Sequence, residues 1–141
     1  MDNKNNENSW VYNEIVREHF FNPRNILMDE KDYMADGMGV VGSPACGDVM
    51  QVWIKVDPET KKIYEFKWRT FGCASAIAST SMLSVMVTEN GGMSVGEAYN
   101  ITPKDVLTRL GGLPDRKVHC SVLGDKALRT AIEDYMKKQR I

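Results

Sequence analysis

The stretch VMQVWIKVDPETKKIYEFKW, residues 49–68, decides the fold because apolar and polar residues alternate along both of its halves. In the first half the apolar residues fall at even positions: Met50, Val52, Ile54 and Val56. In the second half Tyr64, Phe66 and Trp68 alternate with Glu65, Lys67 and Arg69. Such alternation is typical of a strand with one buried face, and DPETKK has the composition of a turn. The stretch therefore predicts an antiparallel hairpin with one buried face and one wet face.

A third strand and two helices are predicted around this hairpin. MGVVG, from Met38, resembles a short strand, and ILMDEKDYMADG before it has no clear period and is expected to be a loop. A helix is expected from Trp10 to about Phe21, on a stripe of Val11, Ile15 and Phe20, and the proline of NPRN ends it. A second helix, from about Ser75 to Glu89, is nearly apolar all round, which indicates packing on the sheet.

The last third of the chain predicts three more helices. SVGE has capping-box spacing and TPKD places proline after a threonine cap, so each starts a short helix. The final helix is expected from Ser121 or Asp125 to Lys138, and its apolar face is formed by Leu128, Ala131, Ile132 and Tyr135. We therefore predict an α+β fold, a small antiparallel three-stranded sheet with helices packed on one face. Residues 10–141 form one domain in this prediction, and the polar residues 1–9 are a loose tail.

The length, the net charge and the composition of the chain exclude several classes of function. With 141 residues, the chain is long enough for a single core. A net charge of −1 and a pI of about 6.1 supply no basic surplus, so a nucleic acid partner is not expected. The Asn-rich start is neither a signal peptide nor a membrane span, so we expect a cytoplasmic protein without a membrane partner. In a reducing compartment its cysteines would remain thiols.

The three cysteines occur in separate stretches. Cys46 lies in GSPACGDVM, Cys73 in TFGCASA and Cys120 in KVHCSVL. Intervals of 27 residues (46 to 73) and 47 residues (73 to 120) exclude a C-x-x-C knuckle, so a shared site must be assembled from three loops. The predicted fold permits this, because Cys46 and Cys73 lie at adjacent ends of the hairpin and Cys120 precedes a helix that packs on the same sheet.

These positions favour metal or redox chemistry. Cys73 and Cys120 lie at or just before predicted helix N-termini, where the helix dipole stabilises a thiolate. Three thiolates leave one position of a tetrahedral site open, and Asp48 or His119 can fill it. A carboxylate is a harder ligand than a thiolate, so Asp48 would hold a soft metal or an iron–sulfur cluster less firmly.

Simpler interpretations exist for each residue. A lone cysteine is usually a small buried hydrophobic residue, Asp48 can be a turn residue, His119 a hydrogen-bonded, partly buried histidine, and Lys117 a surface lysine.

The sequence also leaves other functions open. The same residues suit a zinc protein that is structural, accepts sulfur or hydrolyses a substrate with Asp48 as base. A thiol redox protein is disfavoured because the chain has no C-x-x-C.

The motifs VVGSPACGDVM, TFGCASAIAS and KVHCSVLGDKAL, together with NPRN, resemble the IscU-type iron–sulfur cluster assembly scaffold, which also forms the N-terminal domain of NifU. The resemblance extends from about residue 11 to 138. It implies a non-enzymatic scaffold that assembles 2Fe-2S clusters from ferrous iron and desulfurase-derived sulfur and passes them to apo-proteins. Having His119 directly before the third cysteine favours the IscU type over the zinc-dependent SufU relatives.

The resemblance also implies a role for each site residue. Cys46, Cys73 and Cys120 are the cluster ligands, and Cys120 accepts persulfide sulfur. Asp48 keeps the cluster labile, His119 is an alternative ligand, and Lys117 matches the family's lysine ahead of the third cysteine. In this family zinc is readily acquired during purification.

The partners that the resemblance implies are proteins. They are a cysteine desulfurase, a ferredoxin-like reductant, a frataxin-like protein, Hsp70 and J-type chaperones, and apo iron–sulfur proteins. A homodimer that shares one cluster is also compatible with three thiols per chain. The chain differs from the usual family pattern in two places, with LPDRK (residues 113–117) instead of LPPVK and with Ala74 instead of glycine.

Overall fold

The computed structural model describes residues 13–43, 48–71, 74–111 and 118–139, and at residues 43, 48, 74–75 and 118–122 it describes the backbone alone. The strands are β1 (Gly37–Ser43), β2 (Asp48–Val56), β3 (Lys62–Phe71) and β4 (Met93–Ser94). The helices are α1 (Glu14–Phe21), α2 (Ala74–Thr88), α3 (Val95–Tyr99), α4 (Pro103–Leu110) and α5 (Val118–Gln139). None of the helices in these ranges is long and apolar enough to span a membrane.

The sheet is antiparallel throughout, with strand order β1-β2-β3-β4. The α+β prediction is confirmed, but the sheet has four strands and not three. The additional strand, β4, has only two residues and pairs with Lys62 and Ile63 at the start of β3. A two-residue strand is too short to show alternation, and the capping box that starts at Ser94 predicted only the start of α3.

The predicted hairpin is present, but its register shifts near the turn. Val49 pairs with Phe71 and Ile54 with Phe66, while the pairing slips between Lys55 and Val56. Beyond this β-bulge Ile63 lies opposite Val56 and is fully buried, whereas Tyr64 is 56% exposed. The expectation that Tyr64 belongs to the buried face was therefore wrong, because a bulge exchanges the two faces of a strand.

Helices cover one face of the sheet. Met50, Val52 and Ile54 are buried there, as predicted, and they join one core with apolar residues of α2 and α5. The predicted apolar face of α5, Leu128, Ala131, Ile132 and Tyr135, is buried throughout. α5 begins at Val118, earlier than the Ser121 or Asp125 expected, so its first turn includes His119 and Cys120.

The other face of the sheet is partly covered by the predicted loop before β1. Ile26 forms a parallel β-bridge with Trp68 of β3. Near the start of β1, the Asp36 amide donates to the Ile54 carbonyl, and the Asp36 side chain accepts from the Val56 amide. Between these ends the loop crosses the sheet, where the Tyr33 hydroxyl donates to Glu65 at 2.6 Å. The face that was predicted to be exposed to solvent is therefore partly covered by this loop.

The helix at the start of the chain buries a face that differs in part from the one predicted. Its described part begins at Glu14, capped by the Asn13 side chain, which accepts from the Val16 amide and donates to the Leu110 carbonyl. Val16 and His19 are buried and Phe20 is partly buried against the core, while Ile15 is 45% exposed, so the predicted stripe was right for Phe20 and wrong for Ile15. Trp10 and Val11 lie outside the described residues.

His19 fixes this helix to α2. Its Nδ1 lies 2.7 Å from the Ser81 hydroxyl, which also accepts from the Arg24 amide at 2.9 Å. Burial lowers the pKa of His19, and the nearby Arg24 guanidinium lowers it further. These effects favour a neutral imidazole, which forms a buried hydrogen bond with the Ser81 hydroxyl.

The short helices start as predicted. Ser94 with Glu97 and Thr102 with Asp105 form complete capping boxes for α3 and α4. α4 ends at Gly111, whose φ of 83° lies in the left-handed region. The division into a tail at residues 1–9 and one domain at 10–141 stays a prediction, since residues 1–12 lie outside the described ranges.

Candidate functional site

Three strand ends meet at one end of the sheet. Ser43, the last residue of β1, pairs with Asp48, the first residue of β2. Next along β2, Val49 pairs with Phe71, the last residue of β3. Cys46 belongs to the connection 44–47 that follows β1, and Cys73 to the connection 72–73 that follows β3. Both connections therefore leave the sheet at the same end, which we call the cysteine end.

α5 starts toward this same end because it runs antiparallel to β1. A Cβ placed on Gly37 would meet Ala131 and Tyr135, whereas a Cβ placed on Gly39, one pleat further along β1, would meet Ala127 and Ala131. As β1 advances toward Ser43, its neighbours on α5 move toward the helix N-terminus. The first turn of α5 therefore lies toward the cysteine end.

A second helix N-terminus lies at the cysteine end as well. α2 begins at Ala74, three residues after the end of β3, and packs against α5 in the core. Each helix N-terminus carries a partial positive charge and free amide groups, both of which stabilise thiolates. The described backbone thus brings a strand start and two helix starts together, each next to one of the three cysteines in sequence.

The six predicted site residues lie outside the described side chains. Cys46, Cys73 and Lys117 lie outside the described residues, while the backbone places Asp48 at the start of β2 and places His119 and Cys120 in the first turn of α5. Among the side chains that the structure describes, no group of three or more His, Cys, Asp or Glu residues could hold a metal ion. The assignment of these six residues to one site stays a prediction.

Asp125 is a residue that sequence reasoning misplaced. It was a candidate first residue of α5, but it lies within the helix and is 1% exposed. Its Oδ2 lies 3.2 Å from Arg129, which also donates to the Ile101 carbonyl, and its Oδ1 has no hydrogen-bond partner among the described residues. Burial raises the pKa of Asp125, although Arg129 lowers it in part. A buried carboxyl group therefore lies in the core, five residues after Cys120.

The free energy of unfolding of the Asp125→Asn variant, relative to that of the wild type, is expected to increase as the pH rises. A carboxyl group whose folded-state pKa is raised stabilises the fold below its unfolded pKa, and this contribution is lost as the pH rises through the folded pKa. The uncharged amide removes that loss, which amounts to about 1.4 kcal/mol for each tenfold difference between the folded and unfolded acid dissociation constants. Urea unfolding between pH 3 and pH 8 measures the difference, with exposed Asp32→Asn as the control. A gap that stays constant with pH would contradict the expectation.

An apolar surface lies next to the cysteine end on the loop-covered face of the sheet. It consists of Val40, Val49 and Phe71, which we call the apolar triad and which are 49%, 42% and 77% exposed. The pairing of Gly42 with Val49 and of Val49 with Phe71 places all three on one face, opposite the helices. Sequence reasoning did not identify this surface, because it treated the whole face as solvated.

The sequence profile of the NifU-like N terminal domain matches residues 11–141. The chain belongs to this family. The resemblance carried by the three cysteine motifs is therefore confirmed.

Relatives of the NifU-like domain cover most of the chain. "Iron-sulfur cluster assembly scaffold protein IscU" of Aquifex aeolicus is 49% identical over 131 residues, which are 93% of this chain and 80% of that protein. "Iron-sulfur cluster assembly enzyme IscU" of Drosophila melanogaster is 47% identical over 131 residues, 92% of this chain and 81% of that protein. "Nitrogen fixation protein NifU" of Azotobacter chroococcum is 44% identical over 126 residues, which are 89% of this chain and 39% of the longer protein.

Solved structures of NifU-like domains have the same fold. The crystal structure of the N-terminal part of a NifU-like protein from Brucella abortus superposes with a TM-score of 0.71. It covers 91% of this chain and 96% of that chain, at 17% sequence identity. At this identity the similarity concerns the fold alone, and it confirms an antiparallel sheet with helices.

Proposed function

We propose that this NifU-like domain is a scaffold on which 2Fe-2S clusters are assembled and from which they are transferred to apo-proteins. The observation that carries the proposal is the convergence of three strand ends and two helix N-termini that are adjacent in sequence to the three cysteines. The names of its relatives, which are called cluster assembly scaffolds, support the same conclusion. In this proposal the chain accepts sulfur and carries the cluster, and it turns over no substrate of its own.

The proposed ligands are Cys46, Cys73 and Cys120, with Asp48 or His119 in the fourth position. Thiolates are the usual ligands of iron–sulfur clusters, and the dipoles of α2 and α5 favour the charged form of the cysteines next to their N-termini. Asp48 as an oxygen ligand would make release easier, since carboxylates hold soft metal centres more weakly. Lys117, directly before α5, would add positive charge near the sulfur atoms.

Sulfur arrives in this proposal as a persulfide on Cys120. A cysteine desulfurase transfers a sulfur atom from its own persulfide to the Cys120 thiolate, and its own thiolate is the leaving group. Release of each sulfide from Cys120 breaks the S–S bond and requires two electrons, so two sulfides require four. The ferredoxin-like protein supplies two of these electrons, and oxidation of two ferrous ions to the ferric state supplies the other two. Two ferric ions and two sulfides then make up the oxidised 2Fe-2S cluster.

The direct test of assembly is anaerobic. The chain is incubated with ferrous iron, cysteine and a desulfurase, and the visible spectrum is recorded together with the iron and acid-labile sulfide content. Equal amounts of iron and sulfide with a cluster spectrum are expected. Retention of zinc with no uptake of sulfide would contradict the proposal and favour a zinc protein that uses the same cysteines.

The apolar triad is a suitable surface for the desulfurase, because exposed apolar side chains beside a functional site mark protein interfaces. Val49→Thr combined with Phe71→Ser is expected to slow desulfurase-driven cluster formation about tenfold or more, the usual effect of removing a large anchor side chain. Assembly from inorganic sulfide should be unchanged. Tyr64→Ser, which removes an exposed aromatic residue at the other end of β3, is the matched control. An equal loss with inorganic sulfide would place the defect in the site and not in docking.

A further inference from the structure

Thr80 of α2 lies where α2 meets β2 and α5. In sequence, Cys73 precedes α2, Cys46 precedes β2, and Cys120 lies in the first turn of α5. Its side chain is fully buried, and its Oγ1 donates to the Sδ of Met50 in β2 at 3.6 Å. Gly124 of α5 also packs against Thr80, since a Cβ added to Gly124 would lie 3.0 Å from the same Oγ1 and 3.3 Å from Cδ2 of Leu83. One hydroxyl group therefore contacts both β2 and α5 from within α2.

This junction lies close to the cysteines along each element. Met50 is four residues after Cys46, Thr80 is seven residues after Cys73, and Gly124 is four residues after Cys120. At a helical rise of 1.5 Å per residue, Gly124 is roughly 6 Å along the axis from Cys120. Over so short a length a helix is stiff, so a displacement at the junction is passed on to its N-terminus.

The contact between α2 and α5 depends on the size of both residues. Glycine at position 124 leaves room for the branched side chain of Thr80, and a methyl group there would approach Oγ1 more closely than ordinary contact distances. Cores are packed at crystal-like density, so a displacement of a few tenths of an ångström at this contact has no free space to take it up. A change at either residue should therefore alter the spacing of the two helix starts.

We propose that Thr80 and Gly124 are positioning residues for the cysteine site. Their contact sets the separation between the start of α2, next to Cys73, and the first turn of α5, which carries Cys120. The bond from Thr80 to Met50 fixes both helices relative to β2, which follows Cys46. This inference rests on the proposed function only in that it requires the three cysteines to bind one metal centre.

The experiment uses Co²⁺ as a probe of the full chain, because its visible bands report the geometry of bound thiolates independently of cluster assembly. Gly124→Ala, Thr80→Ser, the double variant and the wild type are titrated in competition with a chelator. We expect Gly124→Ala to weaken Co²⁺ binding about tenfold or more and to shift the visible bands, as changes around metal ligands commonly do. The double variant should recover most of both effects, because serine can rotate its hydroxyl away from the new methyl group.

The control separates positioning from ordinary core packing. Ile132→Val removes a buried methylene group near the other end of α5 and lowers stability without touching the junction. Its Co²⁺ spectrum and affinity should match those of the wild type. Should Gly124→Ala not fold, Thr80→Val, which keeps the shape and removes the hydroxyl group, is measured instead, and shifted bands are expected.

Three results would overturn the inference. These are wild-type Co²⁺ binding in a folded Gly124→Ala or Thr80→Val variant, equal changes in Ile132→Val, and a wild-type protein without thiolate-to-Co²⁺ bands. Normal Co²⁺ binding by the wild type together with no uptake of sulfide would refute the scaffold function and leave the positioning role standing.

Discussion

Gly39→Ala is expected to lower the free energy of unfolding by about 3 kcal/mol or to prevent folding, which is at the upper end for an overpacked core. α5 lies directly on β1 at this position. An added Cβ would collide with the Ala127 carbonyl oxygen and lie 2.7 Å from the Ala131 amide nitrogen and 2.9 Å from Cβ of Thr130. Two of these neighbours are backbone atoms, so no side-chain rotation relieves the contact, and α5 must move away from the strand.

Urea unfolding followed by far-UV circular dichroism measures this effect. Gly96→Ala is the matched control, since Gly96 lies in α3 and an added Cβ there would meet nothing within 4 Å. Alanine is the better helix former, so the control should keep or slightly gain stability. A Gly39→Ala variant as stable as Gly96→Ala would show that α5 does not pack against β1 as described.

Cys120→Ser is expected to abolish sulfur uptake from the desulfurase, because serine cannot form a persulfide. Cys46→Ser and Cys73→Ser should still gain the mass of one sulfur atom at Cys120 but fail to hold a stable cluster, since each removes one thiolate ligand. Mass spectrometry after incubation with desulfurase and cysteine distinguishes the two outcomes, and the spectrum after addition of ferrous iron reports the cluster.

Ser121→Ala is the control for Cys120→Ser, because it changes the neighbouring residue in the same turn and leaves all three thiols in place. It should take up sulfur and iron like the wild type. Persulfide on Cys46 or Cys73 in the Cys120→Ser variant would contradict the assignment of Cys120 as the acceptor.

The parts of the fold that could be predicted are those with a local signal. Alternation of apolar residues predicted the buried face of β2, and helical spacing predicted the buried face of α5. The two capping boxes also fixed the starts of α3 and α4. Each of these signals depends on residues within one element, so no tertiary contact was needed to read it.

The features that could not be predicted depend on contacts between distant residues. The bulge that exposes Tyr64 arises from pairing between strands, and the inward direction of His19 arises from Ser81, which is 62 residues away in sequence. Trp53 was not assigned to any core, but it is only 7% exposed, and the Arg69 guanidinium lies over its ring at 5.5 Å.

The same division holds for the site. The three cysteine motifs predicted one shared site because each lies next to a predicted strand or helix end. Thr80 lies outside these motifs, and Gly124 and Asp125 lie within KVHCSVLGDKAL but have no predicted role there. Thr80 and Gly124 become recognisable only when α2 and α5 are seen in contact, and Asp125 when its burial is known.

Cluster transfer is the measurement that tests the central claim most directly. The chain is loaded anaerobically with ferrous iron and desulfurase-derived sulfur, separated from free iron and sulfide, and mixed with an apo-ferredoxin whose maturation is followed by its spectrum. The scaffold function predicts that equal amounts of iron and sulfide leave the chain and appear in the ferredoxin, and that release slows in Asp48→Ala. Iron and sulfide that stay on the chain, or a ferredoxin that matures equally fast from free iron and sulfide, would contradict it.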